Sequence, residues 1–100
     1  MNLEIIVNAQ QVFTRQNWIP ASDTVGVCTY TAKFSSEWSG LTKKLLWTNG
    51  DTTVETLYST EEAQVIPLEA LRRGQLVISA SGVASGKRLT TAPSTPVMVR

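Results

Sequence analysis

From Val25 to Phe34 apolar and polar side chains alternate, and this pattern constrains the fold more than any other part of the chain. Successive side chains of an extended strand point to opposite faces, so Cys28, Tyr30, Ala32 and Phe34 share one side while Thr29, Thr31 and Lys33 share the other. A strand with one apolar face turned to a core is predicted. The alternation stops at Ser35-Ser36-Glu37, short polar residues that favour turns, and Gly40 then permits a tight reversal. Between them Trp38 carries a large apolar surface and is expected to fold back onto the buried face of the strand.

The same period recurs along the chain. Leu3, Ile5 and Val7 line one face of a first strand, and Val12-Phe13-Thr14 reads as a second or as the first continued across a bulge. Asn49-Gly50-Asp51 is the strongest turn signal and joins Thr42–Thr48 to Thr52–Tyr58 as a hairpin. Neither face of Thr42–Thr48 is marked as the inner one, since Lys43, Leu45 and Trp47 alternate with Lys44, Leu46 and Thr48. Leu76, Ile78 and Ala80 share a face of a later strand, and Lys87–Thr91 and Val97–Val99 complete the set. Pro67-Leu68-Glu69-Ala70-Leu71-Arg72-Arg73-Gly74 has the polarity of a helix, with proline first, an acid in the first turn and glycine past the end, so one short helix of about two turns is expected at residues 67–73. Thirteen threonines and turns about every ten residues point to an all-β fold. The expectation is an antiparallel β-sandwich of immunoglobulin-like architecture, without the cysteine pair of that family, whose core includes Tyr30, Phe34, Trp38, Leu76 and Ile78.

With 100 residues the chain reads as a single domain spanning residues 1–100. Its apolar runs fall far short of the roughly 20 residues that span a bilayer, so no membrane insertion is expected. The start of the chain lacks a basic n-region, and synthesis in a cytoplasm without a secretory signal is the reading. Nine basic and eight acidic residues give a net charge of +1 and no basic stripe, which argues against nucleic acid as a partner. Lys43-Lys44 and Arg72-Arg73 read as solvated pairs. There is no histidine, and Cys28 is the single cysteine, so zinc and triad chemistry lack their parts and Cys28 reads as a small buried hydrophobe. Asp51, Glu61 and Glu62 do not follow the alternate spacing of a calcium loop. No catalytic residue, cofactor or metal is assigned, and the chain is not expected to be an enzyme.

Flat tryptophan faces on a sandwich can stack on sugar rings, which makes a carbohydrate-binding module the alternative function. Trp38 and Trp47 sit in core-like contexts, so Trp18, beside Asn17 and Ile19-Pro20, is the candidate for an exposed contact. Sheet edges carry unpaired backbone groups that invite partners. Pro93 and Pro96 guard the approach to the last strand, whereas Leu3–Val7 has only Glu4, so the first strand is expected to be the less protected edge. Ile6 joins Trp18 as a candidate partner contact.

The stretch Phe34-Ser35-Ser36-Glu37-Trp38-Ser39-Gly40-Leu41-Thr42-Lys43 resembles a pattern near the N-termini of tail, baseplate or fibre structural proteins of tailed bacteriophages and prophages. Val65-Ile66-Pro67-Leu68-Glu69-Ala70-Leu71 followed by Gly74–Ser79 resembles the family's Ile-Pro, short helix, glycine and strand unit. Gly82 with Arg88-Leu89-Thr90-Thr91 resembles its glycine turn and closing strand. The resemblance implies a virion assembly module that docks to other tail proteins or to copies of itself, assembled in the bacterial cytoplasm. It also implies either a one-domain protein or the N-terminal module of a longer one. All the matching motifs are structural, and none supplies a partner-contacting residue.

Overall fold

The structure, a computed structural model, describes residues 2–16 and 28–100. The described residues form two packed sheets. In the first, β1 (Asn2–Asn8) lies between β2 (Gln11–Arg15) and β3 (Thr29–Phe34), and β6 (Gln64–Val65) flanks β3. In the second, β4 (Thr42–Asn49) lies between β5 (Thr52–Leu57) and the long β7 (Gly74–Ala84). The far side of β7 is shared by β8 (Lys87–Thr90), which pairs with its end, and β9 (Val97–Val99), which pairs with its beginning. The all-β sandwich read from the sequence is the fold.

The pairing departs from the expectation in one place, because β1 and β3 run parallel. β1 and β2 form an antiparallel hairpin, so a third strand would be antiparallel beside β2 but is parallel beside β1, where it lies. Side-chain alternation does not encode that choice of neighbour. It also places β1 centrally, so the first strand is not the exposed edge; among the described strands, β2 and the short β6 are the edges of this sheet.

The inner faces follow the period of two. Leu3, Ile5, Val7, Val12, Tyr30 and Ala32 come from the first sheet, and Leu45, Trp47, Leu76, Ile78, Ala80, Val97 and Val99 from the second, all buried. Aromatic rings cross the gap: Tyr30 meets Trp47 edge to face with centroids 4.9 Å apart, and the Trp47 indole N–H donates to Thr56 Oγ1 at 2.9 Å. Phe34 is only partly buried, which corrects its assignment to the core; as the last residue of β3 it packs on the rim. β4 settles its ambiguous register with Leu45, Trp47 and Asn49 inward and Leu46 and Thr48 outward.

Trp38 closes one end of the sandwich. It ends a short 3₁₀ turn at Ser36–Trp38 and is 0% exposed. Its indole N–H donates to the Ala9 carbonyl in the β1–β2 turn at 2.9 Å, and its ring lies 5.2 Å from that of Phe34. Across the core it presses on β7 at Gly82, where an added Cβ would stand 2.9 Å from the indole carbons Cε3 and Cζ3 and 3.1 Å from Leu41 Cδ1. Ala9 itself sits at φ 53°, a left-handed conformation that costs an L residue about 1–2 kcal/mol. That turn is held by the indole bond and by Ala9 N–H donating to Ser35 Oγ at 2.9 Å.

Two local expectations are revised by one side chain. Asn49 is the last residue of β4 rather than a turn residue; Gly50 and Asp51 make the turn, and of these two only Gly50 has positive φ, the pattern of a type II′ hairpin. The buried Asn49 amide donates to the carbonyls of Ala70 at 3.1 Å and Arg72 at 2.7 Å. The helix expected at 67–73 is correspondingly a single 3₁₀ turn at Leu68–Ala70, since consecutive Ala70 and Leu71 are both buried and the carbonyls that would have continued the helix turn to Asn49. On the outer side of β7 the gap between β8 and β9 is filled by the Thr91–Pro96 crossing. Ser94 N–H donates to Ile78 O at 2.8 Å, Ile78 N–H donates to Ser94 Oγ at 2.9 Å, and Ala80 N–H donates to Thr91 Oγ1 at 2.9 Å.

Gly82→Ala is expected to destabilise by about 1–3 kcal/mol through overpacking against Trp38, whereas an unobstructed site would gain about 0.4–1 kcal/mol from the stiffer unfolded chain; the sign of the change in a urea melt separates the two. Asn49→Ala leaves the buried carbonyl of Ala70 and the partly buried one of Arg72 without their donor and should cost about 1–3 kcal/mol in the same assay.

Candidate functional site

At the end of the sandwich closed by Trp38, the inner stripe of β4 runs outward to Lys43, the continuation of Asn49, Trp47 and Leu45 on the same face. The half-buried Lys43 ammonium lies over two rings, 5.7 Å from the Phe34 centroid and 6.0 Å from that of Tyr58, and donates to the Leu41 carbonyl at 3.2 Å. Phe34 and Tyr58 meet edge to face at 4.8 Å. Tyr58 follows β5, where its backbone N–H donates to Lys43 O at 2.9 Å, and its phenol donates to the Ala32 carbonyl at 3.2 Å. Phe34, Lys43 and Tyr58, with Ser35, Ser36, Trp38, Ser39 and Glu61, border an open cleft of about 270 Å³.

The electrostatics of the cleft are mixed. Burial pushes the Tyr58 phenol above its ordinary pKa, and the negative charge of Glu61 and the neighbouring Tyr30 push it the same way. Glu37 is held by the hydroxyls of Ser35 at 3.0 Å and Ser36 at 3.2 Å. Lys43 has no carboxylate within 4.0 Å among the described residues, whereas Lys44, on the outer face, lies 3.6 Å from Glu55. Such a cleft can bind and orient an anionic or polar group.

Of the residues singled out in the sequence, Phe34, Trp38 and Glu61 border the cleft, and the candidate partner contacts do not converge there. Ile6 lies on the outer face of β1, half-buried and opposite Phe13 of β2 on one side and Lys33 of β3 on the other. Trp18 lies outside the described residues. Trp38 and Trp47 are both 0% exposed and offer no face to a ligand. Cys28 is buried, and burial raises its thiol pKa, the opposite of an activated nucleophile. Asp51, Glu61 and Glu62 are exposed, and no group of three or more metal-ligating side chains gathers among the described residues. No helix among them is long and apolar enough to cross a membrane.

Lys43 and Tyr58 do not stand out in the sequence. Lys43 reads as half of a solvated Lys-Lys pair, and Tyr58 as the tail of a strand. The signal that would have found Lys43 is its even spacing from Trp47 and Leu45, which puts it on the inner face once Trp47 is recognised as core.

The chain matches no protein-family model, no curated protein and no solved structure.

The raised Tyr58 pKa makes stability depend on alkaline pH. The unfolded chain releases the phenolic proton first, so the contribution is fully present below the ordinary tyrosine pKa and is lost as pH rises toward the folded value. Denaturant melts through the alkaline range should show this loss, and Tyr58→Phe should remove that part of it; an unchanged pH profile in the variant would mean that Tyr58 titrates normally.

Proposed function

We propose that the domain is a structural and assembly module of a phage or prophage tail, belonging to the baseplate or a fibre, and that it acts by docking to other virion proteins or to copies of itself. The observation that carries this reading is the outer face of the first sheet. There Ile6 and Phe13 are direct cross-strand partners, Phe13 is 49% exposed, and the charged pair Glu4 and Arg15, 3.9 Å apart, lies at its border. An apolar centre with a charged rim is the arrangement of a protein contact. Ile6 would therefore engage a partner through the sheet face and not through a strand edge.

The resemblance to tail proteins supports the same reading. The stretches that carry it build the Ser36–Trp38 turn, the Leu68–Ala70 turn with the strand after it, and the Gly82 seat of Trp38, so the shared residues are those that set the frame. A module of this kind would be located in the virion after assembly in the host cytoplasm. The glycan-binding alternative draws on exposed tryptophan faces, and Trp38 and Trp47 present none.

Light scattering of the purified domain at micromolar concentration, alone and with candidate tail proteins, tests the proposal. Association through an interface of about 1,000 Å² or more is expected, and Ile6→Lys with Phe13→Lys should abolish it while circular dichroism stays that of the native sandwich. A monomer that binds polysaccharide and loses that binding on Trp18→Ala would overturn it in favour of the glycan module.

A further inference from the structure

Among the described residues, β3 is left open on one side at its end. Cys28 O accepts from Ile66 N–H at 2.9 Å toward β6, and Ser35 N–H donates to Val7 O at 2.8 Å toward β1. Peptide groups alternate along a strand, so residues 28, 30, 32 and 34 address the β6 side. β6 follows only as far as Tyr30, opposite Gln64. Beyond it Ala32 is buried and its carbonyl receives the Tyr58 phenol, while the N–H and the C=O of the partly exposed Phe34 face a side on which no described strand pairs with them. The cleft beneath Lys43 opens at this point, lined by Phe34, Tyr58 and Glu61.

An unpaired strand end is a template for an added strand, and the cleft beside it gives side-chain selectivity. The selectivity follows from charge. Lys43 is half-buried over two aromatic rings without a carboxylate within 4.0 Å among the described residues, so an incoming carboxylate gains a cation already stripped of part of its water. Glu37 does not fill that role, because both its oxygens are engaged by Ser35 and Ser36. Glu61 on the rim repels a run of acids, which restricts the occupant to one acidic residue between uncharged neighbours.

We propose that the free end of β3 and the Lys43 cleft together form a strand-addition site for an extended segment of a partner protein, with backbone pairing at Phe34 and a single acidic side chain on Lys43. This site lies apart from the Ile6 and Phe13 face and does not depend on the tail assignment. The test uses the isotopically labelled domain and two capped peptides, Thr-Val-Glu-Val-Thr and Thr-Val-Gln-Val-Thr. The acidic peptide should shift the amide resonances of Ala32 and Phe34 in a saturable way, and the glutamine peptide should bind about tenfold more weakly. Lys43→Gln should erase the difference between the peptides, and Lys43→Arg should restore it. Absence of shifts at Ala32 and Phe34 at millimolar peptide, equal affinity for the two peptides, or discrimination that survives Lys43→Gln would each overturn the proposal.

Discussion

The packing of Trp38 on Gly82 is the contact on which the rest of the structure depends. A ring of that size reaches β7 only because residue 82 has no Cβ, and protein interiors leave no slack to absorb the missing ångström. The same indole donates to Ala9 in the β1–β2 turn and packs on Phe34 at the end of β3, so one side chain ties both sheets and a strained turn together. The strain at Ala9 is sustained because two hydrogen bonds fix its backbone.

Once Trp38 is seated, the end of the sandwich is defined. The Ser36–Trp38 turn carries the chain from the first sheet into β4, and the inner stripe of β4 then has to finish at the rim, where Lys43 replaces a hydrophobe. A lysine there can bury its stem and keep its ammonium at the surface, over Phe34 and Tyr58. The cleft is thus a consequence of how the two sheets terminate. Tyr58 helps to shape it by covering the Ala32 carbonyl, a role that β6 is too short to fill.

Much of the fold was legible because the strand period is strict: Tyr30, Leu76, Ile78 and the inward stripe of β1 follow from alternation alone, and Trp38 from the turn that precedes it. What the pattern could not convey was which strands become neighbours. The parallel β1–β3 pair and the central place of β1 depend on where the chain crosses, and hydropathy is blind to that. The helix signal at Pro67–Gly74 was real in local chemistry but yielded to tertiary demands, since Asn49 captures the carbonyls and Ala70 and Leu71 must both turn inward. Phe34 was assigned to the core because its strand face is buried; its position as the last residue puts it on the rim. The Lys43 cleft was the least legible part, because its residues come from β3, β4, the turn around Trp38 and the segment after β5, each ordinary when read singly.

Residue-resolved hydrogen exchange of the domain tests most directly the central claim, a frame bolted through Trp38 and left open at the end of β3. Amides of β4 and β7 around Trp47, Ile78 and Ala80 should exchange only through global unfolding, while that of Phe34, in the same sandwich, should exchange orders of magnitude faster. Protection of the Phe34 amide equal to that of Trp47 would contradict it, because that amide would then have a partner that the open edge denies it.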